Sequence, residues 1–193
     1  MSRNIYARCL PFLIPIAVLG ACSGPSKEEA NEVGNKAGAV AAPEPAAVAV
    51  LKDATGKEVG EAQFTQDQNG ISVEVSAAGL TPGLHGTHVH MTGKCDGPDF
   101  KSAGGHWNPT SHQHGLENPQ GSHKGDLPNM NVSADGTGSV HFSIPGGVLK
   151  GAEGVLLDAD GAAIVIHAGP DDMKTDPAGN SGDRIACGVI LGA

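Results

Sequence analysis

The stretch Leu84-His85-Gly86-Thr87-His88-Val89-His90 carries three histidines, the last two separated by one residue. On a β-strand successive side chains alternate between faces, so His88 and His90 share one face and Thr87 and Val89 the other. Two neighbouring imidazoles on a rigid strand make half of a metal site. The chain supplies further donors in one loop, at His106, His114, His123 and Asp126, and much later at His167. The stretch therefore points to a β-sandwich that holds two metal ions against one face.

The surrounding sequence reads as short strands with polar turns. Strands are expected at Ala47 to Lys52, Val59 to Gln66, Gly70 to Ala77, Gly86 to Met91, Met130 to Ser133, Gly138 to Ile144, Ala163 to Ile166 and Ile185 to Ile190. Ile71, Val73 and Val75 alternate with polar neighbours, and Asp67 to Gly70 and Asp135-Gly136 mark hairpin turns. The expectation is an all-β fold, an eight-stranded Greek-key sandwich or barrel. Two long loops interrupt it, Gly93 to Pro128 and Ala168 to Asp183. Structureless loops longer than about 15 residues are unusual in compact domains and are normally functional or disordered. The first holds His106, His112, His114, His123 and Asp126, a clustering that metal ligation explains and disorder does not.

Aromatic residues make up only 3% of the chain and glycines number 29, which suits a loop-rich sandwich better than a helical bundle. The formal charge is −9. That charge argues against nucleic acid and anionic headgroups as partners.

The N-terminus is a targeting segment. Arg3 and Arg8 precede an apolar run, Leu10 to Leu19, too short to span a bilayer as a mature helix. The sequence Leu19-Gly20-Ala21-Cys22 resembles the lipobox of bacterial lipoproteins, which implies a signal peptide over residues 1–21 and lipid on Cys22. An ordinary secretory signal ending in a cysteine is the alternative. Ser23 rather than aspartate implies outer-membrane sorting on the periplasmic side of the envelope, and several acyl chains on one residue make anchoring stable. Residues 22–46 form a linker rich in Ala, Glu, Lys and Pro that cannot bury enough surface to order itself. Residues 47–193 are the size of one domain. Cys9 leaves with the signal and Cys22 takes lipid, so Cys95 and Cys187 remain, and in an exported chain they read as one disulfide.

Three separate motifs, in order, resemble the copper–zinc superoxide dismutases. Pro82 to His90 is similar to the family's signature; Gly104-Gly105-His106 with His114, His123, Gly125 and Asp126 to its metal loop; and Arg184-Ile185-Ala186-Cys187-Gly188-Val189-Ile190 to its C-terminal signature. The resemblance runs from about Ala47 to the end. It implies the immunoglobulin-like sandwich already known for that family. It implies copper on His88, His90, His106 and His167, and zinc on His106, His114, His123 and Asp126, with His106 bridging the ions as an imidazolate. Imidazole suits copper, and three imidazoles with a carboxylate suit tetrahedral zinc. Asp171 matches an outer carboxylate that orients one histidine of each set, and His85 a histidine that braces loops. Arg184 matches the arginine beside the open copper position, where it and His106 serve the dismutation of superoxide.

The chain departs from the family at Thr87, where phenylalanine is usual, at Trp107, where a smaller apolar residue is common, and at Ala178, where many members carry threonine. Lys174 reads either as a contributor to the field that draws the anion or as a solvated lysine. His112 and His141 match no family ligand. The sequence leaves monomer and homodimer both open. Two other readings stand beside the enzyme: a periplasmic lipoprotein that buffers copper or zinc, and a purely structural sandwich, which leaves the histidine cluster unexplained.

Overall fold

The computed structural model describes residues 44–151 and 154–193; the leader, Cys22 and nearly all of the linker lie outside them. The strands are β1 (Ala47–Asp53), β2 (Glu58–Gln66), β3 (Gly70–Ala77), β4 (Gly83–His85), β5 (Thr87–His90), β6 (Met130–Val132), β7 (Gly138–Pro145), β8 (Ala162–His167) and β9 (Arg184–Gly192). Every pairing is antiparallel, in the order β4-β6-β7-β3-β2-β1-β9-β8-β5.

The described residues hold nine strands rather than the expected eight: the expected fourth strand, Gly86 to Met91, is β5, and the short β4 just before it is not among those expected. β4 and β5 lie at opposite ends of the strand order, yet only Gly86 separates them in the chain. A single residue cannot span an open sheet, so the two edges must meet, and the sheet curls into a nearly closed barrel. At the seam Gly86 donates to Gly169 O (2.9 Å) and accepts from His167 N (2.8 Å). A Cβ at Gly86 would stand 2.8 Å from Ser181 Cβ and 3.3 Å from His88 Cε1, so only glycine fits.

The turns form as their residues dictate. Asp67 Oδ1 accepts from the Asn69 and Gly70 amides at 2.7 and 2.9 Å, closing the β2–β3 hairpin. Asp135 does the same for Thr137, with Gly136 at φ 82° completing the β6–β7 turn.

The interior is aliphatic, with Leu51, Phe64, Ile71, Val73, Val75, Val89, Ile144, Ile164 and Ile166 all buried in one cluster. Outward positions on β2, β3 and β7 are polar, among them Glu61, Gln63, Glu74, Ser76 and His141. β8 differs: it is buried on both faces. Ile164 and Ile166 face the main core, while Ala163 and Val165 pack outward against Phe100, Ala103 and Cys187 in a second small core. The Cys95–Cys187 disulfide, joining residues 92 apart, closes that second core.

Candidate metal centre

β5 is an edge strand whose outer edge is covered by loop backbone. Val89 donates to Gly125 O and accepts from Trp107 N, both at 2.8 Å, and Met91 donates to Gly105 O at 2.9 Å. Covering an edge in this way satisfies its amides. It also sets His106 opposite His90 and Asp126 opposite His88. On the other side of β5 the register pairs His88 with Val165 and Thr87 with Ile166, so His167 follows at the seam beside Gly86. Side chains alternate as expected: Val89 enters the core and His88 and His90 face the loops.

Four imidazoles converge here. The ring centroid of His88 lies 4.0 Å from that of His106 and 4.8 Å from that of His167; that of His90 lies 4.9 Å from that of His106. One nitrogen of each ring is spoken for. His90 Nδ1 donates to Gly104 O (2.9 Å) and His167 Nδ1 to Gly182 O (3.1 Å). His88 Nε2 meets Asp171 Oδ2 at 2.6 Å, and His106 Nδ1 meets Asp126 Oδ1 at 2.8 Å. The remaining nitrogens, His88 Nδ1 and the Nε2 atoms of His90, His106 and His167, are buried and make no hydrogen bond. Unpaired buried polar atoms are costly and rare, and four in one place is the signature of a ligand set. A carbonyl partner fixes the proton on Nδ1 of His90 and His167 and leaves the inner nitrogen with a lone pair. Burial pushes His88 down to about 3 and His167 to about 4, and holds His90 well below its ordinary value. These rings stay neutral at pH 7, as metal donors must.

The second set surrounds Asp126. Its Oδ1 lies 2.8 Å from His106 Nδ1, 3.0 Å from His114 Nδ1 and 3.1 Å from His123 Nδ1, and the Nδ1 atoms of His106 and His123 are 3.3 Å apart. Donors at ~2.0–2.1 Å from a tetrahedral ion stand about 3.3 Å from one another, so this spacing fits zinc. Asp126 Oδ2 accepts from the Gly115 amide (2.8 Å) and the His123 amide (3.0 Å), which orients Oδ1 inward. Burial would raise the Asp126 carboxyl, but the three imidazoles hold it far below the usual carboxylate range. Burial opposes charge on His114 too, yet hydrogen bonds to Asp126 and Asp171 lift it to about 9. His106 therefore belongs to both sets, with Nδ1 toward the carboxylate and Nε2 toward the four-imidazole site.

Comparison with known proteins agrees with this geometry. The copper/zinc superoxide dismutase (SODC) family profile matches residues 58–190.

The chain belongs to the copper/zinc superoxide dismutase family.

It is 48% identical over 147 residues to "Superoxide dismutase [Cu-Zn]" of Caulobacter vibrioides, covering 75% of this chain and 84% of that protein. It is 47% identical over 137 residues to "Superoxide dismutase [Cu-Zn] 1" of Aquifex aeolicus, covering 70% of this chain and 81% of that one. Among solved structures, a SOD-like protein from Bacillus subtilis superposes with TM-score 0.71 at 44% identity, covering 75% of this chain and 97% of that chain.

In this member of the dismutase family Asp171 ties the two sets together. Its Oδ2 meets His88 Nε2, and His114 Nε2 lies 3.0 Å from both carboxylate oxygens. Hydrogen bonding accounts for the proximity of His88, His114 and Asp171 without an ion among them. Asp171 is fixed in turn by Asn129, whose side chain bonds its backbone N and O at 2.8 and 2.9 Å. Gly179 seals the arrangement: a Cβ there would fall 1.7 Å from Asp171 Oδ1.

Arg184 is half-buried at the start of β9, where the register pairs it with His167. Nη1 donates to Phe100 O (2.8 Å) and Nη2 to Gly104 O (2.7 Å). The disulfide core thus holds the segment that holds Arg184. Gly104 O also accepts from His90, so one carbonyl orients both the arginine and a member of the imidazole set.

The remaining marked residues find other places. His85 reaches His167 O (2.7 Å) and Thr81 O (2.8 Å), linking β4 to the end of β8. Thr87 is buried and its hydroxyl reaches His85 O at 3.4 Å, a long bond for a group in the interior. Trp107 joins the main core. Ala178 is half-buried and its carbonyl accepts from Ser181 Oγ at 2.9 Å. Lys174 pairs with Glu117 at 3.0 Å, so its charge is partly neutralised. His141 is exposed on β7, bonded to Ser72 Oγ at 3.0 Å. Sequence reasoning missed Asn129, Gly179 and Asp176, whose Oδ1 accepts from the His114 amide at 2.7 Å. Each acts across loops distant in sequence, and no local pattern marks them.

Proposed function

We propose that this protein disproportionates superoxide: two superoxide anions and two protons give oxygen and hydrogen peroxide. The observation that carries the reading is the pair of ligand sets joined through His106, whose two ring nitrogens face different donor clusters. When bound, copper in the four-imidazole set supplies a one-electron couple, and zinc beside Asp126 supplies fixed charge and shape.

The chain's own residues do the rest. His106 Nε2 is the atom at which a proton is held in one half of the cycle and released in the other, with the second proton from solvent. Zinc-side contacts at Nδ1 keep that ring in place. Arg184 has two nitrogens anchored on carbonyls, so its planar fork is pre-set, and its remaining N–H groups receive the small anion. This matters in a chain of net charge −9, which as a whole repels superoxide. A local positive spot can still steer an anion, a behaviour already known for this family. Cys22 and the apolar run before it support export and lipid anchoring at the periplasmic side of the envelope, with sorting to the outer membrane from Ser23. There the enzyme would remove superoxide arriving from outside.

The test is dismutation by the metal-loaded protein, repeated with His88→Ala and Arg184→Ala. His88→Ala loses copper and activity. Arg184→Ala keeps copper but loses about ten-fold or more in rate, together with most of its salt dependence. No turnover from a protein shown to contain copper would sink the reading in favour of metal buffering.

A further inference from the structure

The dismutase reading leaves one loop histidine without a role. His112 belongs to neither ligand set and is exposed. Its surroundings are nevertheless built. Asn108 clamps its backbone, accepting from the His112 amide at 3.1 Å and donating to its carbonyl at 2.8 Å. Its ring Nδ1 lies 3.3 Å from Ser122 O, the carbonyl peptide-bonded to His123. A carbonyl only accepts, so Nδ1 is the donor to Ser122 O, and Nε2 is the ring nitrogen left over for a ligand. Nε2 makes no hydrogen bond among the described residues.

His112 also stands at an opening. A pocket of about 280 Å³ is lined by His112, Ser122, His123, Lys124 and Asp126 on the loop side and by Phe142 and Ile144 on the barrel side. Two of the four members of the Asp126 set thus border a pocket that His112 shares, although that set is otherwise almost fully buried. The described cation on this wall, Lys124, bonds Pro145 O across the pocket and opposes an incoming dication.

We propose that His112 is the first protein contact of the zinc ion. It exchanges one water for an imidazole at the pocket mouth and presents the ion to His123, from which it passes to the buried set. This rests on the assignment of zinc to His106, His114, His123 and Asp126. A residue that only relays the ion lowers the barrier equally in both directions. It changes loading and release by one common factor and leaves the equilibrium constant alone, which a ligand does not.

The experiment mixes metal-free full chain with zinc sulfate in a stopped-flow instrument, following free zinc with an indicator dye. Release is followed on adding excess EDTA to the zinc-loaded chain. His112→Ala slows loading and release alike, by roughly ten-fold through the lost local concentration of ion, and shifts affinity by less than about two-fold. Asn108→Ala, which frees the loop but keeps the ring, moves both rates the same way by less. Unchanged rates in His112→Ala overturn the proposal while leaving the zinc site intact. So does a large loss of affinity, which makes His112 a ligand or a structural residue. A wild-type chain that takes up no zinc, or a His123→Ala variant that binds it as tightly as wild type, overturns the site assignment and this proposal with it.

Discussion

The two donor sets share a ring and lie a few ångströms apart, yet they solve opposite electrostatic problems. Around Asp126 the protein satisfies itself: one carboxylate oxygen takes contacts from three imidazoles, the other takes two amides, and Asp171 supports His114 from behind. Around His88, His90, His106 and His167 it does not, since four inner nitrogens have no partner. The first set is held together by its own charges before an ion arrives. The second is held open by hydrogen bonds on its outer side, and only a ligand can satisfy its interior. A structural ion and a redox ion sit in environments suited to each: one a fixed frame, the other a neutral cage of lone pairs.

The contrast is broken most severely by Asp126→Asn. The substitution removes one of the two carboxylates that face a protonated His114 buried beside three rings, leaving only Asp171. Removing one partner of a buried pair typically costs about 3–5 kcal/mol, so chemical denaturation of the metal-free chain should show a loss of that order, with zinc binding abolished. A metal-free stability near wild type would mean that the set is not self-supporting.

Proton linkage separates the two sets by the direction of their pH dependence. His88 and His167 titrate near 3 and 4 in the folded chain, both below the ordinary value of 6.5. The unfolded chain then binds more protons, so stability falls as pH drops from about 6.5 toward about 4. His114 is raised to about 9; its contribution is complete below 6.5 and is lost as pH rises through about 9. The metal-free protein should therefore be most stable near pH 6.5, with both limbs visible in thermal melts between pH 4 and 9. Asp126→Asn should shrink the alkaline limb, with the remainder carried by Asp171. Metal should flatten the alkaline limb, because coordination keeps His114 deprotonated, and steepen the acid limb, because the folded rings then take up no proton while the unfolded ones do. Zinc uptake at pH 7 should release about one proton, measurable in weak buffer by calorimetry.

Asp171→Asn tests the contact that joins the sets. Outer partners of ligating histidines typically contribute about 10–100-fold in metal affinity, and here one carboxylate serves His88 and His114 together. Both copper and zinc should bind more weakly, each measured by chelator competition. An effect on one ion only would show that the sets are less coupled than the geometry indicates. Gly179→Ala should act in the same direction by forcing Asp171 aside.

The smallest effect sharpens the contrast from the other side. His90→Leu removes an unpaired buried nitrogen, and Gly104 O keeps Arg184 as its donor. Copper binding is lost, but the metal-free chain should keep its stability to within about 1 kcal/mol, because an unsatisfied polar atom gives way to an apolar group of similar size. A loss as large as that of Asp126→Asn would erase the distinction between the sets.

Much of the site was legible in the sequence because strand alternation is local. His88 and His90 had to share a face once they lay on a strand, and Val89 had to point the other way. The turns at Asp67 to Gly70 and Asp135-Gly136 declare themselves through side-chain bonds to amides two or three residues on. The resemblance of three motifs supplied the grouping of the histidines, which spacing alone could not. Gly86 misled: read as the first residue of a strand, with no strand before it, it hid the seam at which two sheet edges meet.

The sequence by itself determined which donor types the protein owns, how they alternate along strands, and that residues 47–193 hold two cysteines able to pair. Only the tertiary structure decided which nitrogen of each ring faces inward, that Asn129 clamps Asp171, that Phe100 and Gly104 hold Arg184, and that His112 stands beside His123. The reason is range. Periodicity and turn chemistry act over a few residues and leave a pattern in the chain. The partner of a loop carbonyl or an imidazole nitrogen is chosen by whatever the closed barrel brings near it, across separations of tens of residues that carry no period.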